Sequence, residues 1–489
     1  MTDPSGSPRG AAAPADPPAA DRLDRGSLSA PHIVFMVIAA AAPMAVVVAI
    51  LPIAFAFGNG VGTPGMYLVA AITLAFFAVG YTRATPFVRN AGAFYAYIAQ
   101  GLDRSLGLVA AYLAAVCYTS LAAATCGALA FFSHDTFSRL LHITLPWPVW
   151  AAVWIAIVAA LGYRRITMAA RVLAVALTAE VLLLVVLDVA ILADRGLPAL
   201  ELDAFSPGTV FGAGAGVAVI YAFTSFLGFE GTAIYAEEAR NPLRTVPRAT
   251  YGAIAVVGVF YVLTAWCLLA GVGFDQASAT AAKDPGGFVF GLSDRYLTGA
   301  WTDALSVLIV TSSFAAVLAF HNAASRYFYA LARDGAMPAP LARTHPRFGS
   351  PYRAGLAQIA IVVVIVGGFA IADLDPLLNL STAMTGFGAV GLLALMATTS
   401  VAIAALLWRK GRRGWAATAC PAIAAVGLGA ATVLSITNYP QLTGSDSSVI
   451  NALPWLHVPL VLAGLAIAHR IRTRRPAVYA QLGATRVEG

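Results

Sequence analysis

Three features of the sequence could do chemistry inside an apolar surrounding. Glu180 sits in RVLAVALTAEVLLLVV, about nine residues beyond Arg171 and hence ~14 Å along a helix. An unpaired carboxylate at that depth is costly, so it should face a bundle interior, carry a proton, or pair. A second carboxylate, Glu230, lies in FTSFLGFEGTAIYAEEARNP, residues 223–242, between two helix-weakening glycines, Gly228 and Gly231. Third, Thr311, Ser312 and Ser313 offer adjacent hydroxyls, although such side chains commonly bond their own helix backbone.

The glycines around Glu230 raise the question of a broken helix. In hydrocarbon a backbone group without a partner costs several kcal/mol, so a break is tolerated only where it lines a cavity or lies against protein. It then exposes N–H groups at one half-helix end and carbonyls at the other, suited to an anionic and a cationic group respectively. Phe226 and Phe229 flank Gly228 and could close over a bound molecule. The alternative is that Gly228 and Gly231 only let another helix approach closely. A second interruption stands in VFMVIAAAAPMAVVVAILPIAF. There Pro43 removes a helix hydrogen bond and clashes with the preceding turn, four alanines before it permit close backbone approach, and Pro52 marks a further kink.

The elements that must position these groups follow from composition. Of 489 residues, 60% are hydrophobic and 11% charged, with a mean hydropathy of +0.79. A soluble globular chain is about a quarter charged. Apolar runs long enough to cross a ~30 Å hydrocarbon core recur at about 33–57, 66–82, 105–132, 146–163, 171–193, 210–236, 249–271, 301–330, 354–372, 377–407, 415–437 and 453–470. The chain thus reads as an all-α membrane protein of twelve transmembrane helices. The longer runs, 301–330 and 377–407, are expected to tilt or to extend beyond the bilayer.

Residues 1–32 form a Pro/Ala/Gly/Asp-rich tail with too little apolar bulk to fold and no signal-peptide pattern. Residues 33–407 make a ten-helix core, 408–470 two additional helices, and 471–489 a second tail. With both tails on the cytoplasmic side, only Arg139, Arg195, Lys283 and Arg295 of the 30 Lys and Arg fall outside. This is a strong positive-inside bias. The net charge of +7 therefore reads as a topology signal and a match to anionic lipid head groups, without nucleic acid. Breaks in the first and sixth spans fit two five-helix repeats of opposite topology meeting at a midplane site.

Other classes fit less well. No Asp-rich or His-containing cluster suggests an integral-membrane enzyme, and no Cys or His spacing suggests a metal or cofactor. Cys117, Cys126, Cys267 and Cys420 lie within or beside spans, as small packing residues do. A channel would not need two helix breaks with a carboxylate beside one. A receptor or scaffold would normally add a soluble domain, for which loops 272–300 and 331–353 are too short.

FTSFLGFEGTAIYAEEARNPLRTVPRAT resembles the signature of the amino acid–polyamine–organocation (APC) superfamily, an F-x-G-F-E segment followed by an acidic pair and N-P-x-R-x-x-P. NAGAFYAYIAQGLDRSLG (90–107) and SRYFYALARDGAMPAPLARTHPRFGSPYRA (325–354) resemble the same family, in matching order, over roughly residues 33–410. The resemblance implies a secondary transporter of the bacterial amino-acid permease type, with its solute between the broken first and sixth helices. By position, the solute carboxylate would meet backbone N–H groups of Ala41, Ala42, Pro43, Met44 and Ala45. Its amino group would meet carbonyls of Phe223, Thr224, Ser225, Phe226, Leu227 and Gly228. Many relatives carry a G-x-G at the first break where this chain reads AAAAPMA, and Pro43 donates no N–H.

The resemblance also implies roles for the polar groups. Glu180 falls where some proton-coupled relatives place a lysine and where others hold sodium, and it would bind and release a coupling proton. The alternative is a permanently protonated Glu bonded to a backbone carbonyl. Glu230 would link solute binding to helix movement, or brace the break. Thr311, Ser312 and Ser313 match the hydroxyls that build the cation site in sodium-coupled members, although protons are favoured here. The apolar lining of Phe223, Phe226, Leu227 and Met44 points to a neutral or hydrophobic amino acid. The rival is a polyamine or other organic amine. Asp188 is expected near the outer interface, Glu237 and Glu238 in a cytoplasmic ion-pair cluster with Arg240 and Arg244, and His321 as a packed histidine near the cytoplasmic end. The Ala/Arg-rich composition suggests a GC-rich bacterial genome, and so an inner membrane.

Overall fold

The computed structural model describes residues 41–88, 94–164, 169–229 and 242–482, together with Val34 and Ile38. In chain order its principal helices are α1 (Pro43–Phe57), α2 (Thr63–Ala84), α3 (Phe94–Gly101), α4 (Arg104–Leu141) and α5 (Trp147–Tyr163). There follow α6 (Ala169–Arg195), α7 (Ala215–Thr224), α8 (Pro242–Val272), α9 (Phe274–Lys283) and α10 (Phe288–Tyr296). The last are α11 (Gly299–Arg333), α12 (Tyr352–Ile371), α13 (Thr382–Arg409), α14 (Cys420–Thr437) and α15 (His457–Arg474). Among the described residues, nine helices are long and apolar enough to cross a membrane, and α1, α5 and α7 are shorter apolar helices. These shorter helices stand where the first, fourth and sixth spans were expected.

The long helices begin and end where the sequence supplies caps. Asp103 stops the chain before α4 in extended backbone and accepts the Ser105 N–H at 2.7 Å, satisfying one of the orphan donors of the first turn. At the other end His142 turns into the left-handed region, φ 56°, the conformation that closes many helices. Asp375 caps the segment leading into α13 by accepting the Leu377 and Leu378 N–H groups. Pro52 has a visible consequence. The turn before it, Val46–Ile50, opens into a π-helix, which absorbs the donor that the proline lacks.

Helix α4 is the buried axis of the bundle, packed along α11 and α13. Because lipid tails are as apolar as leucine, such packing depends on close approach and interhelical bonds. Gly388 and Gly391 of α13 press against Leu121 and Cys117 of α4. Ser120 donates to the Met384 carbonyl at 2.7 Å, and Thr136 to that of Ser306 at 3.0 Å. Bonds of this kind average about 0.6 kcal/mol within bilayers. The outward surface is the greasy one: Val175, Val364, Ile371 and Val426 are largely exposed. That is the arrangement of a protein solvated by hydrocarbon.

A file of rings connects the end of the sixth span to the short helix α3. Phe229 meets Phe77 edge-on at 5.8 Å. Phe77 then stacks on Tyr81 at 5.3 Å, and Tyr81 on Tyr97 of α3 at 4.7 Å. Phe229 is thus a packing residue in this structure, with its ring turned into α2.

Candidate functional site

Both expected interruptions are present. At the first, Ala41 is helical, Ala42 takes the left-handed conformation (φ 46°, ψ 69°), and the helix restarts at Pro43. Proline's fixed φ suits a first helical position. It gives the new helix a defined N-terminus in the protein interior, with Val46 N–H already returned to Ala42 O at 3.1 Å. At the second, α7 stops at Thr224. Residues 225–229 proceed through tight turns (Phe226 N–H to Phe223 O at 3.2 Å, Leu227 N–H to Thr224 O at 3.0 Å), and Gly228 has φ 114°. Between a break and close helix packing, the sequence left the choice open; the backbone here is a break.

Two tyrosines that sequence reasoning did not single out tie these breaks together. Tyr261 of α8 donates to the Ala41 carbonyl at 3.2 Å, the group that the first break leaves without its helical partner. Tyr67 of α2 lies 2.8 Å from Ser225 Oγ. Ser225 spends its only proton on the Tyr221 carbonyl at 2.7 Å, so Tyr67 is the donor. The two tyrosine rings meet edge-on at 5.8 Å, and Phe226 packs edge-on against Tyr261 at 5.9 Å. Phe226 is therefore a wedge between the breaks, buried in this structure, and not a flap over them. Phe223 and Leu227 are also buried, while Thr224 is half-buried and returns its hydroxyl to Ile220 O at 2.6 Å.

Loss of the Tyr261 hydroxyl strands the Ala41 carbonyl but keeps the ring. Tyr261→Phe is accordingly expected to cost about 1 kcal/mol of stability and to weaken solute binding several-fold, read by thermal melting and by ligand titration of the purified protein. Unchanged binding would detach the tyrosine from the site.

The carboxylate of Glu180 completes the constellation. It is buried, 3% exposed, and the polar groups that act on it are the Ser312 hydroxyl of α11 and the Met44 backbone N–H of the restarted helix. Neither uses up the polar capacity present. Glu180 Oε2, Ser312 Oγ and Ser313 Oγ are buried without a close hydrogen-bond partner among the described residues. The three hydroxyls expected to act together thus divide. Thr311 donates to its own helix at Leu308 O, 2.9 Å, whereas Ser312 and Ser313 are buried with unpartnered hydroxyls, Ser312 near enough to act on Glu180. The expected alternative partner of Glu180, a backbone carbonyl, would have required a permanently protonated acid. The backbone group that acts on Glu180 here is an N–H, to which a carboxylate is suited. An anion at a helix N-terminus is favourable on dipole grounds as well.

Of the first-break residues, Ala41, Ala42, Pro43 and Met44 are buried and Ala45 is half-buried. Glu230, Glu237, Glu238 and Arg240 lie outside the described residues. His321 is buried on α11, with Nδ1 2.5 Å from Gln358 Oε1 of α12, as a packed histidine should be. Asp188, expected near the outer interface, is buried against Thr264. All four cysteines are free and buried.

Two interrupted helices, cross-braced and with a buried acid at one of them, form a candidate binding site inside the bundle. The amino acid permease family matches residues 32–478. The chain belongs to the amino acid permease family. It is a multi-pass membrane transporter, not an enzyme, with a small-molecule amino acid as the substrate class that the family implies. The permease is similar to a branched-chain amino acid permease of Lactococcus lactis, 24% identical over 63% of this chain and 69% of the relative. It is also similar to a methylthioribose transporter of Bacillus subtilis, at 27% over 42% of this chain and 41% of that one. A third relative, the chloroplastic cationic amino acid transporter 7 of Arabidopsis thaliana, is 29% identical over 37% of this chain and 30% of its own length. The last two matches thus span well under half of the relatives' length.

Proposed function

We propose that this permease is a proton-coupled secondary active transporter of neutral or hydrophobic amino acids, working by alternating access around the two breaks. The observation that carries the proposal is the buried Glu180 carboxyl, with Oε2 unpartnered among the described residues, within reach of the N-terminus of the helix restarted at Pro43, where the Met44 N–H acts on it. A solute carboxylate and the Glu180 carboxylate would claim the same helix N-terminus, and two anions there repel through a medium of low dielectric. Protonation of Glu180 releases the Met44 N–H and removes the repulsion, so the solute binds with a proton. Discharge of both on the other side returns Glu180 to the helix end. The solute's amino group takes carbonyls among residues 223–228, where α7 ends and the chain turns. Ser312, and with it Ser313, serves the proton site, and no sodium is needed.

The rest of the reading follows the same frame. Twelve spans are arranged as two inverted five-helix repeats, 33–407, with two further helices in 408–470. Both tails face the cytoplasm, and the protein sits in the inner membrane of a bacterium. Glu230 links the sixth-span break to the movement of its neighbours. The apolar surroundings of Phe223, Phe226 and Leu227 and the name of the Lactococcus relative support a neutral solute. A second reading has a specific observation in its favour. Pro43 donates no N–H and Glu180 lies within reach of that of Met44, so the first break is poorer in donors than a carboxylate cradle should be. An organic amine without an α-carboxylate would fit such a site.

Uptake into proteoliposomes of a labelled panel (branched-chain, aromatic and cationic amino acids and polyamines) under an imposed proton or sodium gradient separates these readings. Accumulation of a neutral amino acid driven by protons alone is the expected result. Accumulation of a polyamine only would replace the substrate, and dependence on sodium would replace the coupling ion.

A further inference from the structure

Helices α6 and α8 enclose a second buried carboxyl that the cycle above leaves unused. Asp188 follows Glu180 on α6 by about 12 Å, toward the end that carries Arg195. Its side chain is buried, 8% exposed. Thr264 Oγ1 of α8 donates to Oδ2 at 2.7 Å, and Oδ1 has no partner among the described residues. The groups facing it can be followed element by element. From α8 come Thr264 and the Cys267 thiol, and one turn back Tyr261, within electrostatic reach of Glu180. From α10, Leu292 packs with Ile191 of α6 around Gly271. α11 and α1 direct Ser312 and the Met44 N–H at Glu180. At the far end of α6, Asp194 and Arg195 are exposed, and Arg195 bonds to Ala270 O at 3.3 Å. Among the described residues, Thr264 is the hydrogen-bond partner of Asp188.

The α6/α8 seam thus carries four polar side chains in an apolar wall, Glu180 and Asp188 from α6 and Tyr261 and Thr264 from α8. A carboxyl retained only to pack helices would have both oxygens satisfied, as buried polar atoms generally do. Asp188 has one oxygen anchored and the other open. Ionisable groups inside membranes typically mark ion paths and proton relays.

We propose that Asp188 is a proton relay that loads Glu180 from the Arg195 end of the seam. Its Oδ1 takes a proton from water entering at that end. The proton passes along the seam, through water and the hydroxyls beside it, to the Glu180 carboxylate left ionised by the previous turnover, and Asp188 returns to its carboxylate. Only O–H bonds form and break, and one proton enters for each one that Glu180 discharges. The relay rests on the reading that Glu180 carries the coupling proton.

Asp188→Asn, Asp188→Glu and Glu180→Gln, compared with the parent in proteoliposomes, test it through proton-driven uptake and through solute counterflow without a proton gradient. Asp188→Asn is expected to slow proton-driven uptake about tenfold or more, increasingly so as the external pH rises, while counterflow is kept and Asp188→Glu restores the rate. Proton-driven uptake at the parental rate in Asp188→Asn, with Glu180→Gln inactive, overturns the relay and leaves the coupling site standing. Equal loss of uptake and counterflow, without rescue by Asp188→Glu, makes Asp188 a packing residue and overturns the relay too. If Glu180→Gln still accumulates solute with protons, the coupling reading itself falls. Should Asp188→Asn not fold, Thr264→Val keeps the carboxyl but removes its anchor. Slower proton-driven uptake with intact counterflow is then the expected result, and parental kinetics the contrary one.

Discussion

Proton-driven accumulation should vanish in Glu180→Gln while solute binding and counterflow survive. Glutamine keeps the volume of the side chain and can still accept the Met44 N–H through its amide oxygen, so the break is not expected to collapse. What it loses is the charge that competes with the solute and the proton that removes the competition. In the parent, solute affinity should therefore strengthen on acidification, by at most about tenfold per pH unit for a single proton. In Glu180→Gln it should be flat with pH. The loss of coupling should lie in the range of about 5- to 150-fold typical of linked sites. A variant that still concentrates solute and keeps the parental pH dependence would make Glu180 a structural acid, and would direct attention to Glu230.

The second large effect is expected from Gly228→Ala. At φ 114° the backbone is in a region that side-chain-bearing residues rarely occupy, and holding alanine there costs about 1–3 kcal/mol. The chain has two responses. It keeps the break under strain and loses that much stability, or it relaxes toward a helix and withdraws the carbonyls of residues 225–227 into ordinary helical bonds. Either way the site is degraded. Solute affinity should fall about tenfold, equivalent to ~1.4 kcal/mol, together with a lowered melting temperature. Parental affinity and melting would mean that the turn at Gly228 is incidental to the site.

How much of this was legible in the sequence depended on which property fixed each feature. Helix positions followed from apolar runs and their charged ends: the nine long and three shorter apolar helices among the described residues fall on the expected stretches, whereas α3, α9 and α10 lie in segments read as connections. The first break could be read because proline carries its own geometry, although the π turn ahead of Pro52 could not. Gly228 was ambiguous by nature: a glycine that permits a break and one that permits close packing look alike until the backbone dihedral is known.

Depth could be counted from Arg171, which placed Glu180 in the interior. Counting rise says nothing about what lies opposite, so neither the Met44 N–H nor the difference between Thr311 and Ser312 could be foreseen. The same limit applies to Asp188, whose place along α6 was legible and whose burial against Thr264 was not. Tyr67 and Tyr261 were missed altogether. Their only sequence signal is a polar-tipped ring in an apolar span, which many packing tyrosines share.

The central claim is that solute and Glu180 share one helix end, so that binding requires a proton. It is tested most directly by titrating the purified protein with a transported amino acid in a calorimeter, in buffers of different ionisation heat. The apparent heats then give the number of protons taken up per solute bound. Uptake approaching one proton in the parent and none in Glu180→Gln is the expected result. No uptake in the parent, or the same uptake in both proteins, would contradict it.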